Sequence, residues 1–427
     1  MKATPNGIGQ LVIGPYAIKS FQITTLVMGP VPAIASYGED PVDTQAREPF
    51  LVMKAAIIKE TIVNLSAEEA LSERQKIKQH LGVTARVSAE TLKFAKNQFD
   101  KWQLSVDFET QISWICTNII ARSIFGLNPV KLEAIPVLKA MSEMIVHSKP
   151  GKADFEQASA DLLTLSKQII NASADKIIQD QLYLYDQIAD QNLTDKSSAD
   201  RLKILQETHG GGALIVESNL SALCAMALAK IFATTSIRER LIHELNCVDI
   251  SDFEQLDKLS YLNALYAETL RFVSPTSVIA RRVGQDAVLS KVTGNDGVKR
   301  SVPILKGTYL FSAIRREHFD QEYWPNPEQF KPERFETTPS PRFSGPHFFP
   351  FAAGPRSCPA GGIFVNVAFK TLIAFVVKNY TLALDKPLEN IPINTLHPRW
   401  ENQYFVTELN LRPSDQFEEN VTSPFNI

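Results

Sequence analysis

The sequence predicts a mainly α-helical fold with small β-sheets, organised as one large domain, and three observations carry that expectation. Apolar residues recur at a helical period over most of residues 50–274 and again over 361–379. Shorter stretches with strand character flank this helical body at 8–38, at 276–312 and after residue 380. No internal repeat or low-complexity linker divides the chain, whose 427 residues and 44% hydrophobic content can bury a large core. Length alone also admits two or three ordinary domains. The motifs described below favour a single domain spanning 1–427.

Taken in order, residues 8–38 alternate apolar runs with Gly and Pro, as in Leu11-Val12-Ile13-Gly14-Pro15 and Val27-Met28-Gly29-Pro30. Such frequent breaks suit short strands and turns, which makes 1–49 a β-rich N-terminal part. Helical periodicity then predicts helices over 50–64, 66–81, 87–103, 107–125, 130–147, 153–185, 197–231, 235–246 and 251–274. The triplet Gly210-Gly211-Gly212 loosens the longest of these, at about 1 kcal/mol per glycine relative to alanine. From 276 to 312 the pattern turns β-like, with Val278-Ile279-Ala280-Arg281-Arg282-Val283, a Gly-Asn-Asp-Gly turn, and Val302-Pro303-Ile304-Leu305. Residues 324–335 are Pro-rich, so neither helix nor strand, yet aromatic enough to be packed. A last helix over 361–379 precedes a terminal hairpin of Thr381–Leu384 with Tyr404–Thr407.

A net charge of −3 supplies no global basic field, so no nucleic-acid partner is expected. Cys116, Cys224 and Cys247 lie in apolar helical stretches without zinc-like spacing and read as reduced core residues of a cytosol-facing protein. No run of 18 or more apolar residues offers a membrane span, and the N-terminus lacks a secretory apolar core. His318 and His397 sit in loops without a metal-partner pattern and receive no role.

The fourth cysteine differs. Cys358 lies in Phe-Phe-Pro-Phe-Ala-Ala-Gly-Pro-Arg-Ser-Cys-Pro-Ala-Gly-Gly, where loop N–H groups and the N-terminus of a helix starting near Gly361 can stabilise a thiolate. Phe351 would shield the sulfur, and Gly354 lets the backbone turn close beneath a flat ligand. Upstream, Glu268 and Arg271 are three apart on one helix face, placed for a bidentate ion pair. Between that pair and Cys358 lies Trp-Pro-Asn-Pro-Glu-Gln-Phe-Lys-Pro-Glu-Arg-Phe, residues 324–335.

In order and spacing, these three motifs resemble the cytochrome P-450 superfamily, in which a cysteine thiolate is the proximal ligand of haem b. The resemblance implies the P-450 fold, with haem between the long central helix and the helix that follows the cysteine loop. It makes Cys358 the iron ligand and joins Arg334 to Glu268 and Arg271 in a buried ion network. Haem propionates need cationic partners, for which Arg356 and Arg281 are the candidates. Arg74 and Lys78, one turn apart, would fill the places of a family helix that also faces the propionates; a solvated charged helix accounts for the same run.

The distal side departs from the family. Where relatives carry a glycine followed by an acid–alcohol pair, this chain reads Leu214-Ile215-Val216-Glu217-Ser218-Asn219. Glu217 and Ser218 map onto the proton-relay pair, but Ile215 replaces the glycine and would crowd an oxygen site unless the helix bulges there. Ala360 stands where the family commonly has glycine.

The resemblance implies a haem-thiolate monooxygenase, monomeric, oxidising a hydrophobic small molecule of secondary metabolism. Its electrons would come from a separate NADPH-dependent reductase or a ferredoxin. Eukaryotic members usually carry an N-terminal membrane anchor, and fewer residues precede the motifs here. Either the chain is a soluble form, or its N-terminal, sheet-forming part is incomplete, with endoplasmic reticulum association if an anchor is missing. Two alternatives remain: a haem-thiolate isomerase, lyase or dehydratase that needs no dioxygen, which Ile215 and the absent threonine favour, and a degenerate non-catalytic haem protein.

Overall fold

The computed structural model describes residues 2–3, 9–12, 25–28, 84–125, 131–135, 210–275, 279–282, 286–293, 298–304, 309–312, 314–336, 347–352, 357–387 and 403–412, with isolated positions between 153 and 164. The helices predicted at 50–64 and 66–81, and most of those at 130–147 and 153–185, lie outside these residues.

The core is built from helices α1 (Thr84–Phe99), α2 (Phe108–Phe125), α3 (Gly210–Ala233), α4 (Thr235–Leu245), α5 (Phe253–Asp257) and α6 (Ser260–Val273). Every residue of α3 from Leu220 to Ala229 is buried, so this stretch has no polar face and can only be a central helix. It packs on α2, α4 and α6. The single helix expected over 251–274 divides in two. Asp252 caps α5 by accepting from the backbone N–H groups of Glu254 and Gln255, and a break at Lys258 and Leu259 precedes α6. Cys247, expected in the core, lies exposed just beyond α4.

Strands follow: β1 (Lys2–Ala3), β2 (Gly9–Val12) and β3 (Thr25–Met28) at the N-terminus, then β4 (Ile279–Arg282), β5 (Ala287–Thr293), β6 (Lys299–Ile304) and β7 (Tyr309–Ser312). Five of them form a mixed sheet in the order β1-β2-β3-β7-β4, with β2, β3 and β7 mutually parallel. Strands β5 and β6 pair separately as an antiparallel ribbon. A short helix, α7 (Ile314–His318), leads into the Pro-rich segment, which contains one 3-10 turn at Pro332–Phe335 rather than no helix at all. That turn packs against α6.

Helix α8 begins at Phe364, three residues later than its expected start, and runs to Asn379. It lies on α1 and α3. Its Lys370 is fully buried, which lowers the ammonium pKa, and the charge is compensated by Asp257 at 2.6 Å and by Asn263. The terminal hairpin forms as β8 (Tyr380–Leu384) and β9 (Val406–Leu411), and Asp107 and Phe108 tie Tyr404 to the start of α2. Among the described residues no single helix is long and apolar enough to cross a membrane; α3 and α4 pass that test only as a pair bent by 105°.

Candidate functional site

Helix α6 places Glu268 and Arg271 on its buried face, both without solvent exposure. The guanidinium forks onto the carboxylate, Nε to Oε2 and Nη2 to Oε1, each at 2.8 Å. Its remaining donors go to the carbonyls of His318 (2.7 Å) and Pro327 (2.9 Å). Glu268 Oε1 also accepts the Lys331 amide at 2.7 Å and lies 3.4 Å from Arg334 Nε. Arg334 in turn donates to the carbonyls of Pro325 and Asn326. Burial pushes the Glu268 carboxyl up, while Arg271, the Lys331 amide and Arg334 pull it back. The aromatic rings of Phe319 and Trp324 surround the Arg271 guanidinium at 5.2 and 5.6 Å. One helix face and the Pro-rich segment thus close on each other through charge-assisted bonds.

The cysteine loop lies beside this cluster. Cys358 is exposed, and its own N–H donates to the Phe351 carbonyl at 2.9 Å. Burial, then negative charge on Cys358, push the Tyr266 hydroxyl well above its ordinary value, so the cysteine is within electrostatic reach of α6. The Phe351 ring rests directly on the Gly361 backbone: a Cβ at position 361 would meet Phe351 Cγ at 2.3 Å. Ala352, next along, has φ 60°, a left-handed conformation unfavourable for alanine. Helix α8 starts beyond Cys358, after turns at 361–363.

A Cβ added at Gly361 therefore meets the root of an aromatic side chain, whereas one added at Gly362 meets nothing within 4 Å. Gly361→Ala is expected to cost about 1–3 kcal/mol through overpacking. Gly362→Ala is the control, expected to shift the urea midpoint little.

Of the other residues singled out in the sequence, Gly354, Arg356, Arg74 and Lys78 lie outside the described residues. Arg281 occupies β4, paired in register with Leu310 of β7. Glu217, Ser218 and Ile215 lie on α3, whose backbone is a continuous α-helix from Gly210 to Ala233 with no bulge at Ile215.

His318 received no role from the sequence, and its position differs from the expected loop. It ends α7, is fully buried, and its ring bridges two elements: Nδ1 meets Ser274 Oγ at 2.7 Å and Nε2 accepts the Phe349 amide at 3.2 Å. Burial, then the charges of Arg271 and Arg315, push its pKa down to about 3. Arg315 on the same short helix donates to the carbonyls of Phe272 and Val273, satisfying acceptors left open at the end of α6.

Among the described residues the donor chemistry in the cysteine loop is that of a single sulfur, Cys358. A group of three or more His, Cys, Asp or Glu that could hold a bare metal ion does not occur among the described residues. That set fits haem, which brings four ligands of its own and asks the protein for one.

Comparison with known proteins agrees. The family model Cytochrome P-450 matches residues 217–401. Cytokinin hydroxylase of Arabidopsis thaliana is 30% identical over 176 residues, which is 40% of this chain and 32% of that protein. Cytochrome P-450 monooxygenase 124 of Postia placenta is 32% identical over 149 residues, 34% of this chain and 28% of the relative. The matched region thus spans about a third of the length of these relatives. In structure, a retinoic acid-bound cyanobacterial P-450 superposes with a TM-score of 0.68 at 19% identity, covering 90% of this chain and 89% of its own. A zebra fish P-450 solved with abiraterone gives 0.65 at 17% identity, over 93% and 96%. Residues 217–401 thus match the cytochrome P-450 family model, and the likeness of fold to solved P-450 structures extends well beyond that stretch.

Proposed function

We propose that this chain is a haem-thiolate monooxygenase in which Cys358 is the iron ligand. The observation that carries the reading is the exposed Cys358 thiol, with its N–H bonded to the Phe351 carbonyl and the Phe351 ring seated on Gly361. Proteins of the family bind haem b through a cysteine thiolate. When bound, haem with such a ligand supplies electron density that favours O–O cleavage.

The chain's own residues have separate tasks. Phe351 shields the sulfur from water, which keeps the thiolate's charge localised where it is useful. Gly354 leaves room for the cofactor's flat face. Arg356 and Arg281, with Arg74 and Lys78 from the N-terminal side, neutralise the propionates. Glu217 and Ser218 carry protons from solvent towards the distal pocket. Glu268, Arg271 and Arg334 hold the scaffold beneath. A hydrophobic small molecule of secondary metabolism is the substrate, and electrons come from a separate NADPH-dependent reductase or a ferredoxin. The protein acts as a monomer with one haem-thiolate domain over 1–427, facing the cytosol, with endoplasmic reticulum association where an anchor is supplied.

The unbroken α3 backbone at Ile215 favours a second reading, a haem-thiolate isomerase, lyase or dehydratase that needs no dioxygen. One experiment orders these readings. Haem-loaded protein, reduced and treated with carbon monoxide, is expected to show the red-shifted Soret band of thiolate ligation, and substrate turnover is expected to require NADPH, reductase and dioxygen. Undiminished turnover without dioxygen would replace the first reading by the second. Loss of the red-shifted band in haem-loaded protein would remove both.

A further inference from the structure

We propose that His318 is a positioning residue, a neutral clamp that fixes the start of the cysteine loop to the C-terminal end of α6. The proposal rests on the haem-thiolate reading of Cys358 for its consequence, though not for its geometry.

The directions of the hydrogen bonds determine the protonation state. The Phe349 amide can only donate, so Nε2 of His318, 3.2 Å away, must accept and carries no proton. A neutral imidazole then has its proton on Nδ1, which donates to Ser274 Oγ at 2.7 Å. The Ser274 hydroxyl donates a hydrogen bond to the Arg271 carbonyl at 2.9 Å, which leaves its lone pairs for the histidine. Donors and acceptors match along the whole chain of bonds only for this tautomer. Ser274 can present its hydroxyl there because it closes α6 in the left-handed region, at φ 43°, with its N–H donating to the Leu270 carbonyl at 3.1 Å. The His318 carbonyl meanwhile accepts from Arg271 Nη1, so the residue is tied to α6 through both backbone and ring.

The other end of the clamp reaches the Cys358 backbone amide. Phe349 is fixed at both sides of its residue: its N–H is on His318, and its carbonyl accepts the Ala352 amide at 3.0 Å. That second bond closes the turn in which Ala352 is held at φ 60°. The turn sets the Phe351 carbonyl, and that carbonyl accepts the Cys358 amide at 2.9 Å. A continuous path of named bonds therefore runs from the Arg271 ion cluster through Ser274, His318 and Phe349 to Cys358. Because the Phe349 amide is buried, losing its acceptor leaves a donor with no alternative in water.

Two near-isosteric variants separate the ends of the clamp. In His318→Gln the side-chain oxygen can take the place of Nε2 and keep the Phe349 bond. In His318→Asn the side-chain nitrogen can take the place of Nδ1 and keep the Ser274 bond, but nothing accepts the Phe349 amide. Hydrogen exchange over residues 347–358 of the haem-loaded protein reads the clamp whatever ligates the iron; persistence of the red-shifted carbon monoxide band in mild urea reads the thiolate. His318→Asn is expected to accelerate exchange at Phe349 about tenfold, equivalent to about 1.4 kcal/mol, and to shorten the lifetime of the band by a similar factor. Exchange in α6 and α8 should stay unchanged, and His318→Gln should remain near the wild type in both measurements. Unaltered exchange in His318→Asn, or equal acceleration in both variants, overturns the clamp. A wild-type protein lacking the red-shifted band, with the exchange difference intact, sinks the thiolate reading and leaves the clamp standing.

Discussion

Glu268→Leu is expected to destabilise the fold by about 3–5 kcal/mol, because it strands the buried Arg271 guanidinium without its counter-charge. The carboxylate has three partners to lose. Arg271 forks onto it, the Lys331 amide donates to it, and Arg334 lies 3.4 Å from it. Removing it therefore orphans a cation and a backbone donor together, each with a desolvation cost that water does not repay. The double variant Glu268→Leu/Arg271→Met removes both charges and should lose less than the sum of the single changes. It should still fall short of the wild type, since the carbonyls of His318 and Pro327 then lack their donor. Urea unfolding followed by helical circular dichroism on all four proteins gives the coupling, expected to exceed about 2 kcal/mol. Additive losses would show that the cluster is not a unit and that α6 and the Pro-rich segment hold together by apolar packing alone.

The same cluster shows which parts of the architecture are written locally. Glu268 and Arg271 are three residues apart on a strongly periodic helix, so their shared face follows from the helical repeat. Arg334 is different. Nothing near it in sequence points to Glu268, and it was placed only through the resemblance of three motifs in order. Strands behave likewise: Val27-Met28 has strand character on its face, but its pairing with Phe311 and Ser312 depends on which edges remain after the helices pack. The helix expected over 251–274 was read through its break because Leu256, Leu259 and Leu262 keep an apolar period across it, while the capping carboxylate of Asp252 acts on only the first short segment. Cys247 failed for a related reason. Its neighbours Leu245, Val248 and Ile250 are apolar, but the chain has already left α4, so the helical phase that would bury the thiol no longer applies.

His318 was illegible for the clearest reason. Its partners Ser274 and Phe349 are 44 and 31 residues away, and one of them contributes only a backbone amide, which leaves no side-chain signature at all. By contrast, Phe351 stands out from a short loop in the sequence, although the residue on which its ring rests, Gly361, does not. The tight approach belongs to a turn outside α8, where helical reasoning gives no guidance.

Acid sensitivity should expose the buried histidine directly. With its pKa held near 3 in the fold and at an ordinary 6.5 in the unfolded chain, His318 takes up a proton on unfolding throughout that window. Stability is then complete above about pH 6.5 and falls as pH drops, approaching about 1.4 kcal/mol per pH unit once the unfolded chain is protonated. Integrated from pH 7 to pH 5.5, the loss is roughly 1.3 kcal/mol. The groups facing the ring determine what else titrates. The charges of Arg271 from α6 and Arg315 from α7 oppose protonation. His347, half-buried beside Glu317, is also lowered and adds a weaker slope of the same sign. Glu268, raised by burial, binds its proton more readily in the fold, so just above its ordinary value it works in the opposite direction. Both proteins compared below carry that carboxyl, so its contribution cancels in their difference. His318→Gln preserves the acceptor for Phe349 and cannot titrate, so the difference between its urea midpoints and those of the wild type isolates this one group. Parallel pH profiles for the two proteins would mean that His318 is already protonated in the fold, which the Phe349 amide aimed at Nε2 forbids.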